Sequence, residues 1–271
     1  MRATFATDPA PGQVNEDYVA VGPEAAVLLD GAGTPAGSES GCLHGVAWYA
    51  RTLGSTLLAA MTQSAGALPD LLATGIKTVS SQHDDTCDLT HPGSPSATVV
   101  MLRRTSEDLE WLVLADSTLV LDVGTAEPIV ITDDREAQIG ARYRTEMDAL
   151  DSGSPEHRAA LRDYVETLRG HRNRDGGFWV ASVDPLAAEQ ALIGSVPTGH
   201  VHAAALLSDG ASRLVDRFHL ATWPQALAVL DQHGPQELIN RVRQAEHEDP
   251  TGFRWPRGKI CDDATVAYCV G

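Results

Sequence analysis

The sequence predicts an α+β protein, with a core of mostly antiparallel strands covered by helices. Three observations carry this. Short apolar runs rich in Val, Ile, Thr and aromatic residues recur along the chain, the composition that suits a pleated, buried strand. Segments with apolar residues at three- and four-residue spacing fall between them, twice as pairs. The resulting order is strands, two helices, strands, helix, strands, two helices, strand, which is not the strict βα alternation of a doubly wound parallel sheet.

The strand-like runs are "YVAVG" (18–22), "AAVLLD" (25–30), "SATVVMLR" (96–103), "LEWLVLAD" (109–116), "STLVLDV" (117–123), "PIVITDD" (128–134), "GFWVASVD" (177–184), "HVHAAALLSD" (200–209) and "DATVAYCV" (263–270). Helical spacing covers 40–63 and 69–82, the latter opening on Pro69-Asp70. A helix over 155–170 has Ser154 as its N-cap and Pro155 at its first position, both preferred there. Helices over 224–232 and 235–247 are separated by Gly234-Pro235. No repeat or low-complexity linker divides the chain, so 1–271 reads as a single domain. Residues 135–175 interrupt the strand series with eight arginines and eight acidic residues. That segment reads as a lid or as a solvated helix.

With 271 residues and 43% apolar content, the chain can bury a sizeable core. Its formal net charge of −17 argues against nucleic-acid partners and anionic membrane surfaces, which need a basic footprint. No window approaches a membrane span, and the N-terminus lacks a signal-peptide core. A cytoplasmic protein with reduced thiols is expected. Cys42, Cys87, Cys261 and Cys269 form no CxxC pair, and their spacing matches no zinc pattern.

Two apolar runs end on the same dipeptide, "AVLLDGAG" at Asp30-Gly31 and "ALLSDGAS" at Asp209-Gly210. Asp-Gly is a hairpin signal, but a hairpin needs a second strand just after it. A loop, "AGTPAGSESG", follows the first, and a helix start, "ASRLVDRF", follows the second. Further acids bound strand-like runs in "NEDYVAV" (Asp17), "VLADST" (Asp116) and "ICDDATVAY" (Asp262, Asp263). Carboxylates that converge repel one another and need a cation. Oxygen-only donors select a hard ion, Mg²⁺ or Mn²⁺.

In this order these segments resemble the protein phosphatase 2C (PPM) family of metal-dependent Ser/Thr phosphatases, bacterial type, from Asn15 to Thr265. The resemblance implies two antiparallel sheets stacked as a sandwich with helices outside. It implies two metal ions held through Asp17, Asp30, Gly31, Asp209 and Asp262, with Asp30 and Asp209 positioning the attacking water. Glu16 would assist through water, with Asp263 beside it. Asp116 stands for the acid that, with Asp209, holds a third, weaker ion. "GSPSATVVML" resembles the family's strand before that acid. The implied reaction is phosphomonoester hydrolysis on a phosphoserine or phosphothreonine protein, the product of a Ser/Thr kinase, in signalling.

Three departures stand out. The arginine that grips phosphate in the family falls on Gly12. Ala32 follows Gly31 where bacterial members often have Met and animal members His. "GDSR" has become "ADST". The alternative reading is therefore a catalytically weak or inactive, metal-binding regulatory module. In "RWPRGK" (254–259), Arg257 and Lys259 are candidates for a basic rim that replaces the arginine; an ordinary exposed loop is the competing reading. His200 and His202 read as a metal pair or as partly buried strand histidines.

Overall fold

A computed structural model describes residues 1–33 and 39–271. Strands and helices follow in the order β1 (Arg2–Asp8), β2 (Tyr18–Val21), β3 (Ala25–Leu29), β4 (Gly31–Ala32), α1 (Val46–Gln63), α2 (Leu68–Ser80), β5 (Ser96–Ala97), β6 (Val99–Arg104), β7 (Asp108–Leu114), β8 (Thr118–Asp122) and β9 (Ile129–Ile131). Then come α3 (Arg135–Gly140), α4 (Thr145–Asp148), α5 (Pro155–Arg169), β10 (Leu192–Pro197), β11 (Ala203–Leu207), α6 (Asp209–Asp216), α7 (Trp223–His233), α8 (Pro235–Glu248) and β12 (Ala264–Val270). The loop expected over 32–41 lies in part, at 34–38, outside the described residues.

Two five-stranded antiparallel sheets form the core, in the orders β1-β12-β11-β8-β9 and β10-β7-β6-β3-β2, and β4 pairs with β5 in a short ribbon. The central strands are buried on both faces, which is why they read as continuous apolar runs rather than as alternation. Alternate side chains then go to different layers. Ala26 and Leu28 of β3 meet Leu206 of β11 and Ala267 of β12 between the sheets. Val27 and Leu29 face outward onto Leu53, Leu57 and Ile76 of α1 and α2. On the other side, Ala205, Leu207, Val266 and Tyr268 pack under α6, α7 and α8. The sequence-expected sandwich with helices outside is what forms.

Local signals set most boundaries. Ser154 Oγ accepts the His157 amide at 3.0 Å and caps α5. Thr222 and Gln225 form a capping box on α7, satisfying donors that a helix start leaves free. Gly234, at φ 82, ends α7 and lets α8 restart on Pro235. The helix read over 40–63 begins only at Val46, because Gly41 and Gly45 have positive φ.

Three expectations fail. "GFWVASVD" forms no strand; it is an extended segment held by single bridges, Phe178 to Arg172 and Ala181 to Ala97. β1 and β10 were not expected; both are sheet edges, partly exposed, and lack an apolar run. His200 sits in a short 3-10 turn and His202 in the loop before β11, both exposed rather than partly buried on a strand. Residues 135–175 contain α3, α4 and α5, resting on a small satellite cluster of Ala115, Ile139, Leu168, Phe178 and Val180. Among the described residues no helix is long and apolar enough to cross a membrane.

Candidate active site

Strand register carries the acids to one end of the sandwich. Tyr18 pairs with Leu29, so Asp17 and Asp30 flank one antiparallel pair. Leu207 pairs with both Val266 and Thr118, which brings Asp209, Asp262-Asp263 and the β7–β8 turn carrying Asp116 to the same edge. The two sheets are joined there, where the Asp209 amide donates to Asp30 Oδ2 at 3.2 Å.

Neither Asp-Gly pair is a turn. Gly31 and Gly210 are not among the positive-φ residues. They are glycines because another backbone comes too close. A Cβ on Gly31 would strike the Glu16 carbonyl oxygen, and one on Gly210 would strike that of Asp263. Each motif is thus seated on a second acidic motif. Hydrogen bonds complete the frame. Asp263 takes the Ala10 amide at 2.8 Å and the Glu16 amide at 2.7 Å, which pins the N-terminal loop. Ser208 Oγ accepts the Thr265 amide at 2.9 Å. The Asp30 carbonyl accepts the Thr98 amide at 2.9 Å, and Thr98 Oγ1 in turn meets Ser117 Oγ at 2.5 Å. Asp263 is therefore a fastener of the loop, and "GSPSATVV" supports Asp30 from beneath.

The charges are strongly perturbed. Burial, with Asp263 and Asp209 nearby, pushes the Asp17 carboxyl up to about 7. Desolvation and the neighbouring Asp17 and Asp209 push Asp30 well above the usual carboxylate range. Desolvation, Glu136 and Asp209 do the same to Asp116. Burial also raises Glu16, with Asp263 and Asp262 adding to it. Asp209 goes the other way: burial would raise it, but Arg213 and Lys259 outweigh burial and hold it low.

Two acids beyond the sequence motifs join the cluster. Glu136, at the start of α3, is pushed up to about 7 by burial and by Asp209. Asp216, on α6, is raised by burial and accepts from Ser212 Oγ at 2.6 Å. Glu136 was hidden within the polar 135–175 segment. Asp216 lies two helical turns after Asp209, the spacing that puts both on one face.

Whether these residues suit a divalent cation is decided by Asp17. It is 9% exposed, and its Oδ1 and Oδ2 make no well-formed hydrogen bond among the described residues, although the Thr265 and Ser208 hydroxyls stand near enough to favour its charged form. A buried carboxylate with neither oxygen satisfied calls for a cation, and the surrounding donors are oxygens, as Mn²⁺ or Mg²⁺ requires. The donor chemistry fits at Asp17, Asp30, Asp209 and Asp116, but among the described residues no three of these carboxylates bring their oxygens within 4.8 Å of one another. Asp262 differs: Arg213 Nη2 donates to its Oδ2 at 2.8 Å, and Lys259 Nζ to its Oδ1 at 2.6 Å.

The sequence profile of the family described as Protein phosphatase 2C matches residues 9–243. The chain belongs to the protein phosphatase 2C family. It is an enzyme of that type, in a family that uses Mn²⁺ or Mg²⁺. Similar solved structures include the serine/threonine phosphatase Stp1 from Staphylococcus aureus, at 14% identity and TM-score 0.58, with 99% of this chain and 94% of that one covered. The phosphatase PstP/Ppp from Mycobacterium tuberculosis aligns at 17% identity and TM-score 0.58, covering 98% of this chain and 97% of that one. A catalytic domain of PstP in complex with 2 manganese ions aligns at 17% identity and TM-score 0.56, covering 98% and 96%. At these identities the likeness is one of fold. No curated protein matches by sequence.

One expected site residue is misplaced. Arg257 is 2% exposed and is no part of a basic rim. Its guanidinium is spent on the Asp249 carboxylate at 2.9 Å and on the carbonyls of Trp255, Ile260 and Asp249. Lys259 is exposed beside the acids, its pKa lifted by Asp262 and Asp209 against desolvation. Gly12 is exposed at φ 75, with open space where a side chain would stand.

Proposed function

We propose that this chain is a phosphoserine/phosphothreonine protein phosphatase whose divalent ions are held by Asp17, Asp30, Asp209 and the Gly31 carbonyl. A further, weaker ion is held by Asp116 with Asp209. The observation that carries the reading is the pair of buried oxygens on Asp17 without a well-formed hydrogen bond, amid acids from three other chain segments, Asp30, Asp209 and Asp263. The count of two strong ions rests on the manganese complex of the similar PstP domain. Bound there, the ions supply a water of lowered pKa and neutralise charge on the phosphoryl oxygens. Asp30 is oriented for this by the Asp209 amide, and Gly31 and Gly210 let the backbones close around the cluster.

Lys259 takes the substrate-gripping role left by Gly12. Its exposed ammonium offers a point charge to phosphate, and phosphate competes with Asp262 for it. Residues 135–175 form a lid that brings Glu136 to the edge of the cluster. The chain acts as one domain, in the cytoplasm, on products of Ser/Thr kinases.

One observation favours the second reading, a weak or inactive regulatory module. Both oxygens of Asp262 already accept from a cation, Arg213 and Lys259, so an ion at that position has to share the carboxylate with two positive charges and meets their repulsion. Hydrolysis of p-nitrophenyl phosphate and of phosphopeptides with Mn²⁺, alongside calorimetric Mn²⁺ titration of the parent, Asp30→Asn and Asp209→Asn, separates the readings. The phosphatase reading expects turnover and Mn²⁺ binding that both variants lose. Mn²⁺ binding with no turnover on either substrate supports the module. Unchanged Mn²⁺ binding in both variants overturns the metal assignment.

A further inference from the structure

A second set of ligand groups converges away from the carboxylates. Cys42 and His44 stand in the loop before α1, and His83 and Cys87 in the loop that leaves α2. Their four ligand atoms all lie within 4.8 Å of one another. Cys42 Sγ is 3.5 Å from Cys87 Sγ, 3.6 Å from His83 Nδ1 and 3.9 Å from His44 Nδ1, and Cys87 Sγ is 3.4 Å from His44 Nδ1.

These separations match one geometry. A tetrahedral zinc with bonds of about 2.3 Å to sulfur and about 2.0 Å to nitrogen places its two sulfurs roughly 3.8 Å apart, and sulfur and nitrogen roughly 3.6 Å apart. A disulfide, by contrast, needs its sulfurs at about 2.05 Å. We propose that Cys42, His44, His83 and Cys87 form a structural zinc site.

The surroundings fit a charged site at the surface. The Leu43 amide donates to Cys87 Sγ at 3.4 Å, and Thr86 Oγ1 lies 3.7 Å from the same sulfur. Such contacts spread the charge of a zinc-bound thiolate and fix its direction. Trp48 stacks on His44 with ring centroids 4.4 Å apart and also backs His83 at 4.9 Å, holding both imidazoles in place. His83 is buried. The Asp88 amide donates to the Gly41 carbonyl at 2.8 Å, which joins the two loops beside the ligands. All four protein positions are filled, the mark of a structural rather than a catalytic zinc. The S₂N₂ donor set is softer than the all-oxygen cluster, so the two sites select different metals.

The ligands come as Cys-x-His and His-x₃-Cys halves with two helices between them, so cysteine spacing alone shows no zinc pattern. Their location gives the ion a task. The first loop follows Gly31-Ala32, and the second runs into Ser96-Ala97, the strand paired with it. Zinc would clip together the two loops that continue from the Asp30 motif and from its support.

The test uses the full chain, purified under reducing conditions and dialysed without chelator. Mass spectrometry of metals should find about one zinc per chain, retained in Asp30→Asn and lost in Cys42→Ser and Cys87→Ser. Replacing the metal with Co²⁺ in the parent should give the intense visible bands of a tetrahedral site together with a thiolate-to-cobalt charge-transfer band. Cobalt on carboxylates alone gives neither. The spectrum decides the matter even if the serine variants fail to fold. Cobalt-loaded parent without the thiolate band overturns the proposal, as does a folded Cys87→Ser that keeps its zinc, or a Cys42–Cys87 disulfide in the reduced, zinc-supplemented protein.

Discussion

Asp17→Asn should stabilise the metal-free protein and abolish its response to metal. The Asp17 carboxyl lies at about 7 against an ordinary value of 3.8. At 1.36 kcal/mol per pKa unit, keeping it ionised in the folded state costs roughly 4 kcal/mol. Because the folded value is raised, the protonated form is the one the fold favours. Stability from this group is complete below about pH 4 and is lost as pH rises through about 7. Asparagine carries no charge, but its amide sits in the same unpartnered spot, which costs about 1–3 kcal/mol. The net gain at pH 8.5 is then roughly 2 kcal/mol, or a Tm higher by roughly 4–8 °C. At pH 5.5 little more than half the ionisation cost has developed, and the two proteins should melt close together. Thermal melts of both, with chelator and with Mn²⁺, at the two pH values provide the check. The parent should gain stability with Mn²⁺ by mass action, and the variant should gain much less. A variant less stable than the parent at pH 8.5 in chelator, or one with the full Mn²⁺ shift, would refute the reasoning.

Arg257→Ala should lose about 3–5 kcal/mol in urea denaturation, because it strands the buried Asp249 carboxylate. Lys259→Ala should lower the urea midpoint of the metal-free protein, because Asp262 and Asp209 lose a compensating cation, and raise KM for phosphopeptides; an unchanged KM would remove the lysine from substrate capture. Gly12→Arg should cost about 1 kcal/mol, since arginine must adopt φ 75. It should still lower KM roughly tenfold if the guanidinium reaches phosphate, an interaction worth about 1.5–3 kcal/mol. A folded variant with no kinetic gain would show that the phosphate is already held. Limited proteolysis of the metal-free protein should cut first within 135–175, where α5 buries only His157 and Leu168; first cleavage inside α1 would refute the lid.

The acids were legible because each follows or precedes a run that is strand-like for its own reasons, so strand ends located them before any contact was known. What the sequence could not show was the partner of each charge. Arg257 and Lys259 lie two residues apart in one basic stretch, yet one is buried on Asp249 and the other is exposed beside Asp262. That choice is made by how the loop packs against Phe218 and Trp255, which no spacing encodes. Edge strands β1 and β10 escaped notice because an edge needs no apolar run. "GFWVASVD" misled because its apolar residues serve the satellite cluster under α3 and α5 instead of a ladder. The glycines of the two Asp-Gly motifs were visible, but their reason, a second backbone pressed against each, exists only in the folded chain.

Strand β12 lies between β1 and β11, pairing with residues 2–8 on one side and 203–207 on the other. A chain emerging from the ribosome holds its first strand early but cannot give it a neighbour until residue 270 is out. Until then β1 is an unpaired edge, and the segments carrying Ala10, Glu16, Gly210 and Arg213 lack the Asp262-Asp263 pair that they close on. The helical layers over the other sheet, with Asp17 and Asp30 beside the β2–β3 pair, can form during synthesis, while the acidic end is completed only afterwards. Metal held by the acids as proposed would therefore load only after β12 has been made. A nascent or truncated chain lacking β12 would expose sheet edges without being able to act on any phosphoprotein, so partial products are a hazard for aggregation rather than a source of stray phosphatase activity.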